Sequence, residues 1–172
     1  MKKLVELVPA ALLLAAAILA PHTVAATPAP VVANIHGGGT AIMNPAGSDF
    51  GLAGTTAFGM GVKLRSDGTA SGHFDCVDQF GSTFAGNFFG EVTSWSQNAD
   101  GSVSFSGTAK VIAIADNPLT GPVASNMPFR VTIHQFGRAG VGHWTLETPN
   151  GAGGFFIICD ETLTSGQIVL HD

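Results

Sequence analysis

Three observations predict an all-β chain, a single-domain antiparallel β-barrel or β-sandwich of about 8–9 strands. Apolar and polar residues alternate at period two over several stretches, as strands with one buried face require. Asp-Gly pairs at 67–68 and 100–101 sit between such stretches and read as hairpin turns. All 23 glycines lie beyond residue 26, where Leu and Glu are sparse, a balance that disfavours long helices and favours turns and bulges.

Residues 1–26 read as a secretory signal: Lys2 and Lys3, an apolar run from Leu7 to Ala20, then the small-residue site Val24-Ala25-Ala26. The run is shorter than the roughly 20 residues a membrane-spanning helix needs, and no comparable run occurs later in the chain. The expectation is therefore an exported protein, periplasmic or extracellular, cleaved near Ala26 and without a membrane span. Residues 27–172 are long enough for one domain that buries about 70% of its unfolded surface. Residues 27–35, with Pro28 and Pro30, form a short extended leader, and 36–172 form the domain.

The leader passes into a first strand near Val31–His36, which the run Gly37–Gly39 ends or bulges. Met43–Ala53, with Asn44-Pro45, Gly47 and Gly51, reads as loop. From Ala57 to Arg65, Phe58, Met60, Val62 and Leu64 share one face. Ser66-Asp67-Gly68 turns the chain into Thr69–Val77, where Phe74 and Cys76 face one side and His73 and Asp75 the other. A second hairpin repeats the design. Phe84–Ser96 runs in, Ala99-Asp100-Gly101 turns, and Ser102–Ala115 runs out with Val103, Phe105, Ala109 and Val111 on one face and Ser102, Ser104, Ser106, Thr108 and Lys110 on the other. Asp116–Pro122 reads as a loop before a strand carrying Met127, Phe129, Val131 and Ile133 in phase. Short strands come next at His143–Glu147, Phe155–Cys159 and Gln167–Leu170, the last two separated by a turn at Thr164-Ser165-Gly166. Barrel and sandwich both limit exposed edges and both fit this spacing.

Charge and composition narrow the function. Without Lys2, Lys3 and Glu6 the chain holds five Lys and Arg against eleven Asp and Glu, too few and too dispersed for a nucleic-acid stripe or for binding an anionic bilayer. Two cysteines, Cys76 and Cys159, in an exported chain predict a disulfide between them, a structural role.

Several patterns resemble chemistry without completing it. His36-Gly37-Gly38-Gly39 is similar to an esterase oxyanion segment, but no Gly-x-Ser-x-Gly elbow accompanies it. His36, His73, His134, His143 and His171 show no metal-ligand spacing, so no metal and no cofactor is expected. Asp75, Asp78, Asp160 and Glu161 read as solvated turn and edge acids, and Asp160 and Glu161, being sequence neighbours on a strand, point to opposite faces. Phe84, Phe88, Phe89, Phe155 and Phe156 are candidates to line an apolar ligand cavity, a filled core being the other reading.

Phe58-Gly59, Lys63, Asp67-Gly68, Ser71-Gly72-His73-Phe74, Asp78 and Phe105-x-Gly107 together resemble small all-β units found alone or as modules in secreted bacterial proteins. The likeness spans roughly residues 36–135 and departs at Met60 and at Cys76-Val77. It implies an all-β fold and no catalytic residue. The functional expectation is a non-catalytic structural or interaction module with an unknown protein partner. The first alternative is a carrier of a small apolar ligand. The second is a barrel-enclosed isomerase or cyclase with His73, Asp75 and Glu91 as its first candidates.

Overall fold

The computed structural model describes residues 27–78, 86–113 and 123–172. The expected signal segment, Phe84 and the Asp116–Pro122 loop lie outside them. Eight antiparallel strands close into one barrel in simple meander order: β1 (Val31–Met43), β2 (Thr55–Arg65), β3 (Thr69–Asp78), β4 (Gly86–Gln97), β5 (Val103–Ala113), β6 (Val123–Gln135), β7 (His143–Pro149) and β8 (Phe155–His171). Closure comes from β8 pairing with β1, from Asn34↔His171 to Met43↔Glu161. It removes both sheet edges, the hazard of an all-β chain. Every seam except β2–β3 carries a register shift. Such bulges add the twist and bend a closed sheet needs.

Two expected breaks are continuous strand. Gly37–Gly39 neither ends nor interrupts β1, because its backbone pairs with β2 on one side and β8 on the other. The expected turn at Thr164-Ser165-Gly166 is a bulge inside one 17-residue strand, β8. Turn chemistry serves the bulge: Gly166 has φ +77°, and a Cβ there would lie 1.9 Å from the carbonyl oxygen of Gly38. Only glycine combines that backbone with so close an approach.

The interior is aromatic. Trp144 and Phe74 meet at a centroid distance of 5.1 Å, with Phe58 against Trp144 at 5.5 Å and Phe105 and Phe88 against Phe74 at 6.2 and 5.9 Å. Phe129 then packs on Phe88 at 5.2 Å, and it fits because Gly90 has no Cβ, which would stand 2.8 Å from its ring. Outward positions carry Lys63, His73, Asp75, Glu91 and Lys110. An apolar inside and a polar outside reverse the pattern of a transmembrane barrel. Among the described residues no helix is long and apolar enough to cross a membrane.

The two mouths differ. At one, short turns close the barrel. Asp67 accepts hydrogen bonds from the Thr69 backbone N–H and hydroxyl at 2.9 and 2.7 Å, and Asp100 accepts the same pair from Ser102 at 3.0 and 2.6 Å. The repeated Asp-Gly-x-x-Ser spelling is thus the same turn built twice. Trp95 locks this end by donating from its indole nitrogen to the Arg65 carbonyl at 2.8 Å. Among the described residues, the opposite mouth, where β1, β3, β5 and β7 end and β2, β4, β6 and β8 begin, is hollow.

Candidate functional site

The hollow mouth holds an apolar cavity of about 340 Å³, within the range of roughly 300–1,000 Å³ typical of small-ligand sites. Period-two alternation builds its wall. At the end of β3, Cys76 and Asp78 turn inward while Val77 turns out. Phe88 and Val111 come from β4 and β5, Met127 from β6, Leu146 from β7, and Ile158 and Cys159 from β8. Phe50, from the β1–β2 loop, and Phe156 form an edge-to-face pair at 5.7 Å and stand at the rim.

One corner of this apolar space is acidic. Asp78 lines the cavity and is only 9% exposed, and Glu161 is 0% exposed. The hydroxyl of Thr56 stands between them, 3.3 Å from Asp78 Oδ1 and 2.6 Å from Glu161 Oε1. Glu161 Oε2 is buried with no hydrogen-bond partner. Burial pushes both carboxyls up to about 7, and the Thr56 contact offsets this only in part. Thr56 has one proton to donate, so at neutral pH the trio is satisfied best with one carboxylate, one carboxylic acid and the hydroxyl between them.

These positions overturn the reading of Asp78 and Glu161 as solvated edge acids. Asp160 and Glu161 do point to opposite faces: Asp160 lies outside, bonded to His143 Nε2 at 2.5 Å and Asn44 Nδ2 at 2.8 Å. The signal for the buried pair is present in the alternation. Asp78 is in phase with Phe74 and Cys76, and Glu161 with Cys159 and Leu163, so register, not charge, decides where these two side chains lie.

The expected disulfide is absent. Cys76 and Cys159 are both buried thiols. β3 pairs only with β2 and β4, and β8 only with β7 and β1, so no ladder brings the two cysteine backbones together. They share the cavity wall instead, and burial holds each thiol well above its usual range, with Asp78 adding to the effect. Such thiols are poor nucleophiles.

Of the five candidate cavity phenylalanines, Phe88 and Phe156 line the cavity and Phe84 lies outside the described residues. Phe89 and Phe155 do not line it. Phe89 comes directly after inward-facing Phe88, so it points out and is 43% exposed. Phe155 lies under the Arg130 guanidinium, 3.6 Å from ring centroid to Cζ. His73, Asp75 and Glu91 share an open groove on the outer face, with Phe89 and Lys110, where His73 Nε2 and Asp75 Oδ2 are 4.0 Å apart. They are not barrel-enclosed, which removes them as residues of an interior enzyme site. The amides of Gly37–Gly39 are in strand pairing, so no oxyanion hole forms there. Among the described residues no group of three or more His, Cys, Asp or Glu is placed to hold a metal ion.

A second polar assembly, at positions that alternation assigns to solvent, covers the outer face of β5–β8. Arg130 pairs with Glu147, whose Oε1 accepts from Thr132 at 3.1 Å and Thr145 at 2.9 Å. Ser104 bonds Thr132 at 2.9 Å, and His134 bonds Thr145 at 3.2 Å while stacking on His143 at 4.8 Å. Ser104, Thr132, Thr145 and Glu147 are buried by this mutual cover. Its polar side chains find their partners within the protein, and it serves as a seam between strands.

No protein-family model, curated protein or solved structure matches the chain. Function is therefore read from geometry.

Proposed function

We propose that the protein is an exported carrier of a small, mainly apolar molecule held in the mouth of the barrel. One observation carries this reading: a cavity of about 340 Å³ walled by Phe88, Val111, Met127, Leu146 and Ile158, in a barrel whose other half is filled with apolar side chains. A closed core in a chain this size leaves few voids larger than a water molecule, so a concave apolar space of this volume favours an occupant. The Phe50–Phe156 pair at the rim gives an apolar molecule a surface to cross on entry. The fully partnered outer seam and the dispersed surface charges lend less support to a dedicated protein-docking face.

The test is uptake of Nile red, a neutral apolar dye, by the purified chain. Saturable fluorescence gain is expected, lost in Val111→Trp, which fills the cavity from its wall, and retained in Glu91→Gln on the outer groove. No saturable uptake by the unmodified chain would overturn the carrier reading and return the protein to the class of structural or interaction modules.

A further inference from the structure

The polar corner of the cavity selects among apolar molecules. We infer that the ligand is an apolar amine, its hydrocarbon body against Phe88, Val111, Met127 and Leu146 and its ammonium group on Asp78; this rests on the carrier reading above.

The first argument is charge. Among the described residues lining the cavity, Asp78 is the one carboxylate, and no Lys, Arg or His is present. Glu161 stands behind it through Thr56, so the corner holds two acids and no base. An alkyl carboxylate entering here meets like charge in an apolar surround, which is strongly unfavourable.

The second argument is a shortage of donors. Two carboxyl groups present four oxygens; the Thr56 hydroxyl supplies one proton to them and the protonated carboxyl of the pair a second, which is lost as pH rises. Glu161 Oε2, behind Asp78, is buried without a partner, as is Asn87 Oδ1 on the cavity wall; the one buried donor left unpartnered among the described residues, the Trp144 indole N–H, does not line the cavity. Unpartnered buried acceptors are costly, and native proteins rarely keep them without a reason. An ammonium group brings three N–H donors and a positive charge. An alcohol brings one donor and no charge. The amine is the better complement on both counts, and charge-assisted hydrogen bonds are about twice as strong as neutral ones.

Ionisation couples to binding. The titratable groups on the cavity wall are Asp78 and Cys76 on β3 and Cys159 on β8, with Glu161 on β8 behind Asp78; Thr56 on β2 is neutral, and Asp75 and Asp160 point to the outside. The thiols stay protonated, so the acid pair alone titrates near neutrality. An aliphatic amine remains protonated well above that range. Its binding must therefore strengthen as the pair loses protons, from about pH 6 to about pH 8.

The experiment is displacement of Nile red from the full chain by octylamine, octan-1-ol and octanoate, three probes of one length and different head groups. At about pH 8 octylamine is expected to bind about tenfold more tightly than octan-1-ol, with octanoate weakest. That advantage shrinks at about pH 6 and in Asp78→Asn, while octan-1-ol changes little. Equal affinity of amine and alcohol at about pH 8, or an amine preference that survives Asp78→Asn, overturns the inference and leaves the carrier reading standing. Failure of Nile red itself to bind overturns both. Where Asp78→Asn folds poorly, the comparison between the two pH values on the unmodified chain decides the question alone.

Discussion

The two halves of this barrel solve opposite problems with the same strands. Near the turns at 66–68 and 98–102, inward positions hold Ile35, Val62, Leu64, Val103 and Ile133, each nearly inaccessible to solvent. Near the opposite mouth the same alternation delivers Asp78 and two thiols to an incompletely filled space, with Glu161 buried behind Asp78. Short hydrogen-bonded turns tie the first end, so its side chains close over one another. At the second, three of the four connections run seven to eleven residues, and Phe50 and Phe156 stand at the rim of the described wall. One half maximises packing. The other gives up packing for a space with a polar corner, the usual relation between a scaffold and the site it supports.

The sharpest break of that comparison is Phe74→Ala. Phe74 touches Phe88, Phe105 and Trp144, and its loss is expected to cost about 3–5 kcal/mol in denaturant unfolding. Met127→Ala, on the cavity wall, should cost clearly less, because space already adjoins it. Equal costs would mean that the cavity wall is packed as tightly as the filled half.

Next comes pH. Both acids are raised in the folded chain, so between about pH 4 and about pH 7 the folded state binds more protons than the unfolded one. Their contribution is therefore fully present at the acid end of that window and is lost as pH rises through about 7. The change is on the order of 3 kcal/mol for the coupled pair. Chemical denaturation of the native chain and of Asp78→Asn across this window should show a difference between them that vanishes at low pH. A parallel pair of profiles would remove the buried acids as its cause.

Smaller again is Glu147→Ala on the outer seam, expected to destabilise by about 2 kcal/mol, since it leaves Arg130, Thr132 and Thr145 without their acceptor. It should leave Nile red uptake unchanged, separating seam from cavity. The smallest effects belong to the closed mouth. The Thr69 and Ser102 hydroxyls, with the backbone N–H groups beside them, hold Asp67 and Asp100 below the usual carboxylate range. Asp67→Ala or Asp100→Ala should lower the midpoint slightly, measurable by thermal denaturation. A thiol titration of the unfolded, unreduced chain should find two thiols; finding none would restore the bridge between Cys76 and Cys159.

Much of the barrel is legible in the sequence. The hairpins around Asp67-Gly68 and Asp100-Gly101 and the inward faces of β2 and β5 arise from period-two alternation and local turn chemistry. Less of the site is. Residue type alone groups Phe88 and Phe156, which line the cavity, with Phe89 and Phe155, which do not, although adjacent positions on a strand face opposite ways. Asp78 and Glu161 are missed for the converse reason: a carboxylate is ordinarily solvated, and that expectation outweighs a register that places both inside.

By itself, the order of residues determined an all-β domain, its hairpins, and which side chains share a face, because those properties depend on neighbours a few positions apart. Only the tertiary structure decided that the sheet closes as a barrel, that Gly37–Gly39 and Gly166 lie within strands, and that Thr56, Asp78 and Glu161 meet in one corner. Those depend on the β8–β1 pairing, which joins residues more than a hundred positions apart. No local pattern reports a contact that exists only once the sheet has closed.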